Sequence, residues 1–302
     1  MNPRHPIYVP SKGRWDSRKT HRTLTHMGVF HRVVVEPQEY DKYAGVMDPS
    51  ILLTLPERKP GDGLHTTRNW IWEHALSEGA EWFWQIDDNI EGFHRLNNNV
   101  KVPTPTGTIF RLAEDFVDRF ENVAQAGFQY YMFIPRKQAH KFPPIYLNNR
   151  IYSCTLNRAD LPFRYRSFYN DDTDLSLQVL KAGWCTVLFN AFLADKTATM
   201  TVKGGLTEHY TDESSGTEKG GRLDMARALV ELHPDVTKII YRWGRYQHSV
   251  DYRPFKVNKL RPKAGVYENI PSGFDENGLV LEHLVNGRWE RGHVPPTLYR
   301  GT

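Results

Sequence analysis

The stretch Trp-Phe-Trp-Gln-Ile-Asp-Asp-Asn at residues 82–89 decides the fold more than any other segment. Its first five residues are apolar or aromatic apart from one glutamine, which is typical of a strand buried on both faces. Two carboxylates and an amide follow immediately. Because burying carboxylates costs several kcal/mol unless something compensates, the position of this cluster directly after such a strand indicates a functional role.

Three earlier apolar runs repeat the arrangement of a strand followed by a polar loop. They lie at residues 6–10, 32–37 and 51–56, and helix-compatible segments occupy residues 17–27 and about 66–78. This alternation predicts a parallel sheet built from βα units, and therefore an α/β protein with a Rossmann-type central sheet flanked by helices. In such sheets ligands bind beyond the carboxyl ends of the strands, where all of these polar loops fall.

The rest of the chain predicts further elements and two domains. In chain order these elements are a helix at 109–126, strands at 130–134 and 151–156, a helix at 173–182, a strand at 187–192 and a helix at 223–232. A polar stretch at 203–221 is expected to be mobile, and the chain after Tyr252 is expected to form an irregular basic appendage. We predict a catalytic domain at 1–220 and a C-terminal helix with a basic extension at 221–302.

Composition limits the classes to which the protein can belong. The 302 residues are 39% hydrophobic and 25% charged, which excludes wholesale disorder and fibrous repeats. A net charge of +4 permits a polyanionic partner without requiring one. Two cysteines, Cys154 and Cys185, are too few for a disulfide scaffold or a four-cysteine zinc site. Since no apolar run approaches the ~20 residues of a membrane span and no signal peptide is visible, we expect a cytoplasmic protein without a membrane partner.

Two acidic clusters offer candidate chemistry. Asp87 and Asp88, with the amide that follows them, supply hard oxygens suited to Mg²⁺ or Mn²⁺, although the same residue types are ordinary in turns. Asp171 and Asp172 open a predicted helix, where acidic residues stabilise the helix dipole. One aspartate would satisfy that need. Three acids, counting Asp174, suggest that one of them serves as a base.

Cations and one histidine fall near the same predicted edge of the sheet. Lys12, Arg14 and Arg68 follow a strand or begin a helix, which suits a bound diphosphate, whereas each alone would be an ordinary surface charge. His209 lies in a loop, where a lone histidine is commonly incidental but could complete a metal site. The chain has no P-loop, no dinucleotide-binding glycine motif after its first strand and no nucleophile elbow, which disfavours NTPase, dehydrogenase and α/β-hydrolase functions.

The order of these motifs resembles that of GT-A glycosyltransferases. The blocks that carry the resemblance are the strand-end loop at 8–14, the helix start at 63–69, Ile-Asp-Asp-Asn at 86–89 in place of the Asp-x-Asp motif, and Asn-Asp-Asp at 170–172 in place of the x-Glu-Asp motif. Over residues 5–215 the chain is most similar to the TET/J-binding-protein-associated glycosyltransferases of phages and kinetoplastids. Those enzymes are implicated in glycosylating hydroxymethylated pyrimidines in DNA.

The resemblance implies a role for each motif. The residues implied to contact a UDP-sugar donor are Tyr8, Pro10, Ser11, Lys12, Arg14, Glu36, Arg68 and Asp87. Asp88 or Asn89, with His209 as a further ligand, would hold Mn²⁺ or Mg²⁺. Asp172, or Asp171 in its place, would deprotonate the acceptor if the reaction inverts the anomeric carbon, or position the acceptor if the reaction retains it.

The acceptor implied by the resemblance is a 5-hydroxymethylpyrimidine in DNA, with hydroxymethylcytosine preferred to hydroxymethyluracil and glucose as the sugar. Such a base would be flipped out or presented single-stranded, in the cytoplasm of a phage-infected bacterium. The residues predicted to contact DNA are Tyr169, Arg242, Arg245, Lys256 and Lys259. Three alternatives stay open at this point: a protein, lipid or glycan acceptor, an inactive module that binds modified DNA, and a two-metal nuclease.

Overall fold

The computed structural model describes residues 1–57, 63–97, 100–134, 143–197 and 221–266, together with the backbone of 282–285 and 288–291. The helices are α1 (Lys19–His26), α2 (Tyr40–Ala44), α3 (Leu64–Ser77), α4 (Thr108–Val117), α5 (Asp171–Lys181) and α6 (Arg222–Leu232). None of these helices is long and apolar enough to cross a membrane. The strands are β1 (Ile7–Pro10), β2 (Arg32–Val35), β3 (Leu52–Thr54), β4 (Trp82–Ile86), β5 (Ile90–Asn97), β6 (Val100–Pro103), β7 (Val123–Tyr130), β8 (Ile145–Leu147), β9 (Cys154–Arg158), β10 (Cys185–Lys196), β11 (Thr237–Arg242), β12 (Arg245–Val250), β13 (Glu282–Val285) and β14 (Arg288–Arg291).

The N-terminal part of the sheet follows the predicted βα pattern. Strands β3, β2, β1 and β4 lie side by side and are parallel, with Val9 opposite Val33 and Ile7 opposite Trp84. Alternate residues of each strand enter two separate cores, so that Trp84 packs with α4 on one face and Phe83 with α3 on the other. The predicted α/β class, with a central sheet between helices, is confirmed.

The rest of the sheet is mixed rather than parallel. From β4 the strand order continues β9-β7-β10-β5-β6, and β8 also pairs with β10. Strand β9 is antiparallel to both of its neighbours, and β5 and β8 are antiparallel to β10. The expectation of a parallel sheet was wrong here. Only three residues link β4 to β5, which is too few to return the chain to the edge where β4 began, so β5 runs in the direction opposite to β4.

Local structure also differs from the prediction around residue 120. Helix α4 ends at Val117, and residues 123–126, which were expected to be the end of this helix, form the first half of β7. The predicted strand at 130–134 is a 3₁₀ turn at Tyr131–Phe133. Alanine and glutamine favour helices in isolation, but tertiary contacts decide here. A Cβ on Gly127 would lie 2.3 Å from the carbonyl oxygen of Cys154, so glycine is needed where β7 and β9 approach each other.

Residues 221–266 are anchored to the sheet domain. A hydrophobic cluster joins α5 to α6 and to the chain beyond the β11–β12 hairpin through the buried side chains of Leu180, Leu229 and Phe255. The side-chain amide of Asn148 donates to the carbonyl oxygens of Phe255 and Asn258, both at 2.8 Å. The boundary at residue 220 stays a prediction. The described part of the C-terminal extension is attached to the catalytic domain by apolar packing and by side-chain amides.

Candidate active site

Two acidic clusters far apart in the chain meet at the carboxyl edge of the sheet, which we define as the edge where β1, β4 and β7 end. Asp87 follows β4, while Asp171 and Asp172 open α5. The guanidinium of Arg68, in α3, contacts all three carboxylates. Its Nη2 lies 3.1 Å from Asp87 Oδ1, its Nε lies 3.1 Å from Asp171 Oδ2 and its Nη1 lies 2.8 Å from Asp172 Oδ1. One buried cation therefore holds the two clusters together.

Neighbouring side chains position Arg68. Gln85 donates from Nε2 to the carbonyl oxygen of Arg68 at 2.9 Å, which ties α3 to β4. Asn69 donates to the carbonyl oxygen of Tyr165 at 2.6 Å and accepts from its N–H at 2.9 Å, and the Tyr165 ring centroid lies 5.1 Å from the guanidinium carbon. Arg68 is 2% exposed and already pairs with three carboxylates. Its placement suits holding the acids together, and its predicted contact with the diphosphate stays a prediction.

A second cation at this edge, Lys196, was not identified from the sequence. Its Nζ, at the end of β10, lies 2.8 Å from Asp87 Oδ2, 2.7 Å from the Ser153 hydroxyl and 3.3 Å from the Tyr130 hydroxyl. Burial opposes ionisation of Asp87, but Lys196 and Arg68 outweigh it and hold the pKa of Asp87 well below its usual range. A lysine at a strand end gives no local signal. Only the antiparallel pairing of β10 with β5, which begins just after the acidic cluster, brings it here.

Asp88 has different partners from its neighbour. The Arg14 guanidinium contacts one carboxylate oxygen of Asp88, and the Ser11 hydroxyl donates to the other at 2.8 Å. Ser11 lies in turn 2.7 Å from the Tyr43 hydroxyl. Burial raises the pKa of Asp88, and Arg14 opposes that shift. The loop after β1 is therefore tied to the end of β4, and Ser11 and Arg14 lie at the same edge as the acids.

The residues predicted to hold a metal are Asp88, Asn89 and His209. The Oδ1 atom of Asn89 is buried and accepts no hydrogen bond from the described residues. No group of three His, Cys, Asp or Glu side chains in the described ranges is arranged to hold a metal ion. Mg²⁺ and Mn²⁺ sites on phosphate substrates need only one or two protein oxygens. Asp88, whose carboxylate oxygens also contact Arg14 and Ser11, and Asn89 are the described residues predicted to share an ion with a diphosphate, and this role stays a prediction. His209 lies outside the described residues.

The N-terminus of α5 presents consecutive acids to Arg68. Asn170 adopts a left-handed conformation, with φ 53°, at the residue before the helix. The N–H of Asp172 donates to Asp171 Oδ1 at 3.0 Å. Burial raises the pKa of Asp171, and it raises that of Asp172 to about 7, with Arg68 opposing both shifts. A carboxylate that titrates near neutral pH is suited to take a proton from a hydroxyl group.

The third acid of this cluster, Asp174, faces away from Arg68. It is fully buried, and its carboxylate lies 2.8 Å from Nε2 of His233 and 2.9 Å from the Arg166 guanidinium. His233 is the residue at which α6 ends. Asp174 therefore links α5 to the C-terminal part of the chain, which leaves Asp171 and Asp172 as the candidates for a base.

Several predicted donor contacts are less accessible than expected. Tyr8 and Pro10 are buried in β1, and the Tyr8 hydroxyl lies 3.1 Å from Nδ1 of His74 beneath α3. Because helices cover both faces of this strand, the nucleoside contact predicted for these two side chains has no support from their placement. Lys12 is exposed, and its ammonium group lies 3.1 Å from the carboxylate of Glu36, which is buried just after β2.

The residues predicted to contact DNA lie in three places. Tyr169 is half-buried beside Phe168, two residues before the acids of α5. The second place is the exposed β11–β12 hairpin, whose paired residues near the tip are Arg242 and Arg245. The third is the exposed segment that contains Lys256 and Lys259.

This third place is remote from the acids. The carbonyl oxygen of Lys259 accepts from Asn122, which directly precedes β7 and so lies at the opposite edge of the sheet, here named the amino edge. Strand β7 has 8 residues. At ~3.3 Å per residue, it separates the two edges by about 25 Å. The backbone of Lys259 is therefore far from the acids at the carboxyl edge, and the contact of Lys259 with DNA stays a prediction.

Three solved structures show weak similarity to the chain. A protein assigned as a nucleotide-diphospho-sugar transferase from Desulfovibrio desulfuricans G20 is 9% identical, with a TM-score of 0.39 over 76% of this chain and 96% of that one. CMP:2-keto-3-deoxy-manno-octonic acid synthetase in complex with CTP is 11% identical, with a TM-score of 0.34 over 61% and 88%. A glycosyltransferase involved in glycosylation of the major capsid of PBCV-1 is 13% identical, with a TM-score of 0.24 over 57% and 66%.

Sequence comparison is more informative than these structural overlaps, which are too weak to bear on substrate or mechanism. No curated protein sequence matches the chain. The profile of the TET-associated glycosyltransferase family matches residues 5–205, which is more than half of the protein and includes both acidic clusters. The chain therefore belongs to the TET-associated glycosyltransferase family, and it is a glycosyltransferase that uses a nucleotide-sugar donor.

Proposed function

We propose that the protein transfers glucose from a UDP-sugar to the hydroxymethyl group of 5-hydroxymethylcytosine, or of 5-hydroxymethyluracil, in DNA. The observation that carries the proposal is the single guanidinium of Arg68, which brings Asp87 and Asp172 within ion-pair distance of one centre. A diphosphate bound beside Asp87 and Asp88 would present its sugar toward Asp172. An inverting reaction requires the base to approach the anomeric carbon from the side opposite the leaving diphosphate.

Asp172 is the proposed base. In an inverting reaction the acceptor oxygen forms a bond to the anomeric carbon, the bond from that carbon to the diphosphate breaks, and Asp172 takes the hydroxyl proton. Its pKa of about 7 leaves it ionised in part at neutral pH while keeping it basic enough to accept that proton. Asp171 shares the same arginine and is the alternative base. In a retaining reaction the carboxylate would orient the acceptor instead, and the anomeric configuration of the product distinguishes the two.

Cations at the carboxyl edge are proposed to stabilise the leaving diphosphate. Arg14 and Lys196 are partly exposed there, at 11% and 19% of their side chains, and we assign both to the diphosphate. Mn²⁺ or Mg²⁺ held by Asp88 and Asn89 would neutralise part of the leaving group's charge when bound. Asp87 positions Lys196, and Ser11 positions Asp88.

Aromatic side chains beside the acids support a nucleic-acid acceptor. Phe168 and Tyr169 are half-buried and stand edge-on to each other, with ring centroids 4.9 Å apart. The Phe168 ring packs on Gly63 at the start of α3, where a Cβ would come within 2.7 Å of it. These rings offer surfaces on which a flipped base would stack next to Asp172. We place the proposed reaction in the cytoplasm of a phage-infected bacterium, as the family resemblance implies.

A transfer assay tests the proposal. The protein is incubated with UDP-glucose, Mn²⁺ and duplexes that contain either hydroxymethylcytosine or cytosine at one position, and the digested nucleosides are weighed by mass spectrometry. We expect one added hexose on the hydroxymethylated nucleoside and none on cytosine. Transfer to protein or glycan but not to DNA would contradict the proposed DNA acceptor. Tight binding of the modified DNA with no transfer from any nucleotide sugar would contradict the proposal that the protein glycosylates DNA.

The metal assignment has a separate readout that needs no turnover. Calorimetry measures the affinity for UDP with Mn²⁺ present and with the ion removed by a chelator. We expect the ion to tighten UDP binding in the wild-type protein and to have little effect in Asp88→Asn, which keeps the side-chain volume but loses the charge. Equal UDP affinity with and without Mn²⁺ in the wild type would refute the assignment.

A further inference from the structure

The β11–β12 hairpin is a two-stranded ribbon that carries three exposed aromatic side chains. Its two-residue turn, Trp243–Gly244, has positive φ at both positions, 54° and 73°, which is the backbone of the tight hairpin turn that matches strand twist. Glycine supplies that conformation without strain, whereas a tryptophan there is unusual. Trp243 is 71% exposed and Tyr241 is 65% exposed. Large aromatic side chains this exposed on an ordered element indicate a contact surface.

The two faces of the hairpin differ in chemistry. Tyr241 and Tyr246 pair across the strands, with ring centroids 5.0 Å apart, and form an aromatic face. Arg242 and Arg245 pair on the other face, and the Arg242 guanidinium carbon lies 4.5 Å from the centroid of the Trp243 ring at the tip. Residues 237–250 also include Lys238 but contain no Asp or Glu. The hairpin therefore combines stacking surfaces with uncompensated positive charge along its own length.

The hairpin is linked to the candidate active site through α6. Strands β11 and β12 both contact α6. The side-chain amide of Asn170, which directly precedes Asp171, donates to the carbonyl oxygen of Met225 in α6 at 2.6 Å. The hairpin therefore packs on the helix that contacts the start of α5, where the acids lie.

We infer that this hairpin binds nucleic acid next to the acceptor base, with Arg242 and Arg245 on the phosphates and the Trp243 ring stacked on an unpaired base. The hairpin carries positive charge and no carboxylates, so its charge complements that of a polyanion. A protein partner would not require the absence of carboxylates. Exposed tyrosine and tryptophan rings stack on bases of any sequence. The inference rests on the proposed DNA acceptor but concerns binding, so it can be tested without transfer.

The test measures binding of an unmodified, fluorescently tagged single-stranded oligonucleotide over a range of salt concentrations, with no donor present. Trp243→Asn removes the ring while creating the preferred pair for this turn, so the hairpin fold is retained. We expect about tenfold weaker binding with an unchanged salt slope. Arg242→Ala combined with Arg245→Ala should lower the slope of log K against log salt by about 1.4, since each phosphate contact on a single strand contributes about 0.7.

Matched variants at the amino edge serve as controls. Phe30 is 68% exposed and lies two residues before β2, which places it at the amino edge. Phe30→Asn therefore removes an exposed ring that is not part of the hairpin. Arg261→Ala combined with Lys263→Ala removes two exposed charges at the same edge, which are 66% and 45% exposed. Neither control should change affinity or slope as the hairpin variants do. Equal losses from both regions, or wild-type binding in both hairpin variants, would overturn the inference. Weakened binding without any sugar transfer would leave it standing and refute only the proposed acceptor.

Discussion

The two edges of the same sheet use polar side chains in opposite ways. At the carboxyl edge, charged groups face one another: Arg68 pairs with three carboxylates and Lys196 with Asp87. Where the C-terminal chain attaches at the amino edge, the buried polar contacts come from a neutral amide. Asn122 donates to the carbonyl oxygen of Lys259 and accepts from the N–H of Arg261, both at 2.8 Å.

The difference separates chemistry from attachment. Buried charges carry a desolvation cost and are sensitive to any partner that is removed, which makes their pKa values tunable. Amides carry no charge and satisfy backbone groups at low cost, so they suit a surface that only holds the chain in place. We therefore expect substitutions at the carboxyl edge to alter transfer, and substitutions at the amino edge to alter stability alone.

Arg68→Met should have the largest effect, because it leaves three buried carboxylates without their shared cation. We expect unfolding free energy to fall by about 3–5 kcal/mol and transfer to be abolished. Thermal or urea unfolding measures the first effect. Arg111→Met is the control, since Arg111 forms a partly exposed pair with Asp115 one turn along α4 and should cost no more than about 0.5 kcal/mol. Comparable losses in both variants would argue against a central role for Arg68.

Asp172→Asn should lower kcat by about 10²–10⁴-fold while leaving UDP affinity unchanged, because it removes the proposed base and keeps the size of the side chain. Steady-state transfer and calorimetry separate the two quantities. Asp174→Asn is the matched control on the same helix, and it should lower stability through lost contacts with His233 and Arg166 without a comparable loss of kcat. Wild-type turnover in Asp172→Asn would remove Asp172 from its assigned role.

Lys196→Met should weaken UDP binding by about 10–100-fold, the range expected for loss of a charge-assisted hydrogen bond. Lys181→Met, at the far end of α5, is the matched control because Lys181 pairs with the exposed Asp235. Calorimetry with UDP distinguishes the two variants. If both bind UDP like the wild type, Lys196 has no contact with the diphosphate.

The pH dependence of transfer tests the raised pKa of Asp172. Since burial raises that pKa to about 7, the basic form is lost as pH falls below 7, and kcat/KM should drop about tenfold per pH unit there. The apparent value belongs to Asp171 and Asp172 together, because the two are coupled. In the unfolded chain Asp172 loses its proton above the ordinary aspartate pKa of 3.8, whereas in the folded protein it keeps the proton up to about pH 7. The contribution of this group to stability therefore falls as the pH rises from about 4 to 7. A rate that stays flat from pH 5 to 8 would contradict the assignment.

Asn122→Ala should have the smallest effect on transfer. The substitution leaves a carbonyl and an N–H of the C-terminal chain without partners, so we expect a loss of about 1–3 kcal/mol in unfolding free energy and an unchanged kcat. Urea unfolding and the transfer assay measure both. A reduced kcat in a fully folded Asn122→Ala protein would show that the two edges are coupled rather than separate.

Local patterns were sufficient for the four N-terminal strands and for most of the helices. Strands β1 to β4 and helices α1, α3, α5 and α6 form close to where the apolar runs and helix-ending glycines predict them. Local patterns failed where pairing between distant strands decides the secondary structure. Residues 123–126 were predicted to end a helix and instead begin β7, and the β11–β12 hairpin was not predicted.

The candidate site divides in the same way. Both acidic clusters could be recognised because carboxylates at a strand end and at a helix start are visible in the order of residues. Lys196 could not, because nothing near it in the chain distinguishes it from any other lysine. The family motif assigned Tyr8 to the donor, although Tyr8 lies in an apolar run that predicts a buried strand, and in the fold its hydroxyl contacts His74 of α3.

Residue order alone specified the α/β class, the strand ends that carry polar groups and the family resemblance, because these depend on periodicity and motif spacing along the chain. The meeting of Asp87, Asp171 and Asp172 around Arg68, the arrival of Lys196 and the pKa of Asp172 came from the folded arrangement. Burial and Coulomb interactions depend on distances in space, and residues 68, 87, 172 and 196 become neighbours only when the sheet is assembled.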